Sequence, residues 1–102
     1  MNMNELVVAV EEWSKNKGLD KAEPTKQFLK VAEEFGEIAA AMARNDMYEL
    51  QDAIGDTIVT LIILAQQHEL EVAECLEAAY NVIAKRTGKM INGVFVKSED
   101  LK

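Results

Sequence analysis

Residues 33–65 read EEFGEIAAAMARNDMYELQDAIGDTIVTLIILA. Two helical patterns meet here across Arg44-Asn45-Asp46, and between Ile58 and Ala65 only Thr60 is polar. A helix apolar on nearly every side belongs at the centre of a helical protein. Asp56 nevertheless sits inside the apolar stretch AIGDTIVTLIILA, where a place in the core is expected, with no Lys or Arg within reach on its own helix. Glu33, Glu34, Glu37, Glu49 and Asp52 crowd the sequence just before it. The fold therefore turns on how these carboxylates are accommodated beside so much apolar surface.

Working outward, a first helix is predicted from about Asn4 to Lys15, with Leu6, Val7, Val10 and Trp13 on one face and a capping box from Asn2 to Glu5. SKNKGLDKAEPT forms a loop broken by Gly18 and Pro24. The second helix starts near Thr25 and runs to about Arg44, its apolar stripe being Val31, Ala32, Phe35, Ala39 and Met42. Asn45 or Asp46 caps the third helix, Met47 to Gln67. A fourth spans about Val72 to Arg86, and Asn92-Gly93 between short apolar stretches predicts a hairpin or extended tail. The fold class is all-α: an antiparallel four-helix bundle in a single domain over residues 1–102, with a short C-terminal tail.

Composition narrows the function. Apolar residues make up 49% and charged residues 28%, as in a folded globular protein. A net charge of −7 argues against nucleic acid or an anionic membrane as partner, though it permits a phosphate-bearing ligand if a metal ion intervenes. The single Cys75 forms no intrachain disulfide, and the start MNMNELVVAVEEW is acidic with only a short apolar run. A cytoplasmic protein without a signal peptide or membrane span is expected.

The carboxylates can be placed by angle. At about 100° per residue, Glu34 and Glu37 lie roughly 60° apart on the second helix, and Asp52 and Asp56 about 40° apart on the third. Like charges at these spacings cost tenths of a kcal/mol per exposed pair, on the order of several kcal/mol if they face each other in a dry cleft. Gly55 adds about 1 kcal/mol relative to alanine, a cost usually explained by close approach of a backbone or ligand. Mg²⁺ removes the conflict. It takes carboxylate oxygens, waters and substrate phosphates, so an acidic protein holding it can receive a polyphosphate.

At these residues KVAEEFGEIAAAM and ELQDAIGDTIVTLIILA resemble the MazG-like nucleotide pyrophosphohydrolases of the all-α NTP pyrophosphatase superfamily. The family's E-E-x-x-E helix is intact as Glu33, Glu34 and Glu37. Its E-x-x-D helix departs from the pattern: the expected glutamate falls on Ala53, and Asp52, or Glu49 with Asp52, stands in upstream of Asp56. The similarity continues through AYNVIAKRTGKMINGVFVK. It implies hydrolysis of a nucleoside triphosphate to a monophosphate and pyrophosphate with Mg²⁺, for which Mn²⁺ often substitutes. Glu34, Glu37, Asp52 and Asp56 would be the metal ligands, and Glu33, with Glu49 as rival, would orient or deprotonate the attacking water. Lys30, Asn81 and Lys85 would meet the substrate. Trp13 either packs in the core or stacks on a base. Arg86 and Lys89 read as cations complementing a helix C-terminus.

The resemblance also implies a homodimer or homotetramer, and the apolar third helix independently asks for more burial than one chain supplies. Two other classes compete. A non-catalytic acidic interaction module would present its carboxylates on an exposed face and ignore Mg²⁺. An iron or manganese carboxylate bundle needs Glu-x-x-His pairs, and the lone His68 lies far from the acidic stripes.

Overall fold

A computed structural model describes residues 1–101. The elements follow the order α1 (Met3–Asn16), α2 (Pro24–Ala43), α3 (Met47–Gln67), α4 (Val72–Ile83), β1 (Gly88–Ile91) and β2 (Val94–Lys97). Two short 3-10 turns, Leu19–Lys21 and Ser98–Asp100, were not anticipated from the sequence. No helix is long and apolar enough to cross a membrane among the described residues.

The boundaries follow local chemistry. Asn2 Oδ1 accepts from the Glu5 amide at 2.9 Å and Glu5 Oε1 from the Asn2 amide at 3.2 Å, completing the expected capping box. Pro24 occupies the first turn of α2, where its missing N–H costs nothing. Beyond the end of α2, Asn45 has a φ of 53° that lets the Asp46 amide donate back to the Ala41 carbonyl at 3.0 Å. Asp46 then caps α3, accepting from the Glu49 amide at 3.0 Å. Asn92 and Gly93 both have positive φ, as a two-residue hairpin turn requires, and pair Gly88 with Lys97 through Ile91 with Val94.

α2 and α3 pack as an antiparallel pair, with Gln27 Nε2 donating to the Thr60 carbonyl at 3.0 Å. α1 and the first 3-10 turn lie on the second half of α3, tied by Gln66 Nε2 to the Glu11 carbonyl at 3.0 Å and Gln67 Nε2 to the Leu19 carbonyl at 2.9 Å. The buried apolar core is small: Val31, Ala41, Ala53, Ile62 and Ile63. α4 contributes no buried residue. Within one chain, the helices therefore form a packed pair with α1 laid on it and α4 standing apart.

Three expectations about facing need correction. Of the predicted α2 stripe only Val31 is buried, while Phe35 and Met42 are 55% and 62% exposed. The inner face carries Gln27, Glu34, Ile38 and Ala41 instead. α2 has apolar residues on two flanks, and the small Ala41 and Ala53 select the one that lets the helices approach. On α1, Leu6 and Trp13 are exposed while Ser14 is fully buried. Asp56 is exposed; the buried position beside it belongs to Thr57, whose hydroxyl donates to the Ala53 carbonyl at 2.8 Å.

Gly88 is the tightest point of the hairpin, where a Cβ would stand 2.2 Å from the Val96 carbonyl oxygen. Gly88→Ala is expected to unpair β1 from β2, read as faster amide exchange across Val94–Lys97, while helical circular dichroism is unchanged.

Candidate metal and nucleotide site

The inner face of α2 runs through Val31, Glu34, Ile38 and Ala41, and that of the first half of α3 through Leu50, Ala53, Thr57 and Thr60. At about 100° per residue, Glu33 and Glu37 lie on one flank of the α2 face, Asp52 and Asp56 on one flank of the α3 face. Antiparallel packing turns those flanks to the same side of the pair. Glu34, half-buried between them, registers the result. Burial pushes its carboxyl above the ordinary value of 4.5; the charges of Asp56, Glu33 and Glu37 push it further, and Lys30 pulls it back.

The remaining residues divide sharply. Lys30 Nζ lies 3.9 Å from Glu33 Oε1, so one cation sits on the acidic flank. Glu49 is held by the Arg44 guanidinium, a pairing that raises the Arg44 pKa. Its carboxylate is thus already engaged, and only its amide takes part in capping. Ala53 is buried against α2, whereas Asp52 lies on the exposed flank with Asp56. Asp52, Asp56, Tyr48, Gln51 and Gly55 line a groove of about 270 Å³. Tyr48 and Gln51 escaped the sequence reading, although Tyr48 precedes Asp52 by one helical turn.

Lys85 is placed elsewhere, in a cleft of about 400 Å³ at the end of α4 with Arg86, Thr87 and Lys97. Asn81 is exposed on α4, and Trp13 is 49% exposed on α1. One chain does not gather these residues around the carboxylates. Among the described residues, no three His, Cys, Asp or Glu side chains stand close enough to hold an ion as they lie. The donors nevertheless suit a hard divalent ion: all are carboxylate oxygens, and the raised Glu34 records negative charge that Lys30 alone does not offset.

On one side of the helical pair, Glu33, Glu34 and Glu37 stand beside Asp52 and Asp56, with no His or Cys among them. The family model of the MazG nucleotide pyrophosphohydrolase domain matches residues 23–92, and the chain belongs to that family. It is 35% identical over 71 residues to an uncharacterized 18.2 kDa protein from the rep-hol intergenic region of Haemophilus phage HP1. That match covers 69% of this chain and 44% of the phage protein. No solved structure matches.

Two substitutions probe the site. Without metal, Glu34→Gln should raise the thermal midpoint at pH 7. A carboxyl whose pKa is higher folded than unfolded opposes folding once charged, so the gain shrinks as pH falls toward 4.5. A lower midpoint for the variant at pH 7 would contradict this account. Beyond its own turn of helix, nothing lies within 4 Å of where a Cβ on Gly55 would stand, so the packing of the chain does not require a glycine there. Gly55→Ala is expected to stabilise the metal-free chain by up to about 1 kcal/mol in urea unfolding.

Proposed function

We propose that the protein hydrolyses nucleoside triphosphates between the α and β phosphates, releasing a nucleoside monophosphate and pyrophosphate, and clears non-standard nucleotides from the cytoplasm. The observation that carries this reading is the shared acidic flank of α2 and α3, where burial first, and then the charges of Asp56, Glu33 and Glu37, push the Glu34 carboxyl up. Glu34, Glu37, Asp52 and Asp56 would hold Mg²⁺, with Mn²⁺ as substitute. When bound, the ion would neutralise triphosphate oxygens and offset the charge that builds on the leaving pyrophosphate.

The chain's own residues supply orientation and proton transfer. Glu33 is exposed and only loosely paired with Lys30, so its carboxylate is free to take a proton from the attacking water. Glu49 is the weaker candidate, because its carboxylate is already bound by the Arg44 guanidinium. Lys30, one turn before Glu34, is suited to the phosphates. Asn81, Lys85 and Trp13 would join the substrate from α4 and α1 in a homodimer or homotetramer, in which the helices complete a bundle.

The acidic interaction module keeps one specific point in its favour: Asp56 is solvent-exposed rather than buried. Mg²⁺ separates the two. The hydrolase reading expects Mg²⁺ to raise the thermal midpoint and a nucleotide panel to yield pyrophosphate. Asp56→Asn and Glu37→Gln should each lower kcat/KM at least a hundred-fold with the fold retained. Release of orthophosphate alone, or full activity in both variants, would overturn it.

A further inference from the structure

The groove on α3 is acidic along one side only. Besides Asp52 and Asp56, its space of about 270 Å³ is lined by Tyr48, Gln51 and Gly55. None of these three serves the packing of the chain. Tyr48 is 85% exposed, more than any other large hydrophobic side chain among the described residues. Gln27, Gln66 and Gln67 each donate to a carbonyl that ties one element to another, whereas Gln51 opens onto the groove. Gly55 meets nothing beyond its own helical turn where a Cβ would stand, so close packing does not account for a residue that weakens a helix interior.

Their order around α3 has a direction. At about 100° per residue, Tyr48 and Gly55 lie roughly 20° apart on one line. Asp52 and Asp56 follow at about 40° and 80° from Tyr48 on the side toward α2, and Gln51 at about 60° on the other side. A rise of about 1.5 Å per residue sets Tyr48 roughly 6 Å from Asp52 and 12 Å from Asp56 along the helix. The glycine leaves a floor without a side chain between the carboxylates and the exposed ring. That arrangement suits a ligand with an anionic, metal-bridged end and a flat aromatic end joined by a short spacer. A nucleotide has this form: phosphates, ribose, base.

We propose that Tyr48 is the platform on which the substrate's base stacks, with the ribose crossing Gly55 and the Gln51 amide meeting the base edge. This rests on the hydrolase reading and names how its substrate is chosen. A ring face accepts every base, because each has a π-face of its own. The amide of Gln51 turns either its donor or its acceptor to the edge it meets. The groove therefore selects nucleotides over bare polyphosphate while tolerating different and altered bases.

Two probes separate base from phosphate, each titrated calorimetrically with Mg²⁺: a deoxynucleoside triphosphate with a methylene bridge between its α and β phosphorus atoms, and inorganic tripolyphosphate, which has no base. Tyr48→Ala should weaken the methylene analogue about ten-fold or more and leave tripolyphosphate unchanged. Tyr48→Phe, which keeps the ring face, should bind the analogue like the wild type. In turnover, Tyr48→Ala should raise KM with little change in kcat, as loss of binding remote from the reacting bond does. The Tyr48 ring protons should move upfield in the NMR spectrum when the analogue binds, and Gln51→Leu should alter the ratio of KM values between purine and pyrimidine substrates. Equal losses for both probes, no loss for either, or a Tyr48→Phe variant as weak as Tyr48→Ala would overturn the platform; pyrophosphate release by the wild type would then leave the hydrolase reading standing. A wild-type chain that neither binds the analogue nor releases pyrophosphate overturns both.

Discussion

The contact between α2 and α3 governs the rest of the molecule. It is narrow, built on Val31, Ala41 and Ala53, and its register is fixed by Gln27 reaching the Thr60 carbonyl. Small residues let the helices approach, and the register then leaves no choice about what stands beside what. Glu34 must lie half-buried near Asp56, with Glu33 and Glu37 on the same flank. Packing energy imposes an electrostatic cost that the chain on its own does not relieve.

That cost falls on carboxylates that share one side of the pair. Lys30 offsets part of the charge and Arg44 removes Glu49 from the group by pairing with it. The position where the family pattern expects a glutamate holds the buried Ala53, and Asp52 presents a carboxylate one residue earlier, on the exposed flank. A larger acidic side chain at residue 53 would compete with the close helix contact. The exchange is consistent with a pair drawn tight by small residues.

Apolar surface obeys the same division. The acidic flank takes one side of the α2–α3 pair; Phe28, Phe35 and Met42 on α2 and Ile54, Ile58 and Leu61 on α3 remain exposed away from it. The last of these residues continue into a cleft beside α4. Charge and hydrophobicity are segregated around one helical pair, the carboxylates on one side and the uncovered apolar residues on the other.

Element type was legible in the sequence because it depends on neighbours in the chain, although α4 stops at Ile83 rather than near Arg86. The capping box at Asn2, the stop at Asn45, the cap at Asp46 and the Asn92-Gly93 turn all appear where local chemistry puts them. The spacing of Glu33, Glu34, Glu37, Asp52 and Asp56 likewise sufficed to place the acidic stripes, while the family came from the resemblance of KVAEEFGEIAAAM and ELQDAIGDTIVTLIILA and is shown by the match over residues 23–92. Facing was another matter. Periodicity marks apolar flanks without saying which one a single chain covers, so Phe35 and Met42 read as core and are exposed. Asp56 read as buried because it borders an apolar run, yet its rotation about α3 turns it to solvent and gives the buried place to Thr57. The sequence by itself determined the helices and the acidic pattern. Which face each helix turns inward depended on the distance of closest approach between two particular helices, and only the tertiary structure decides that.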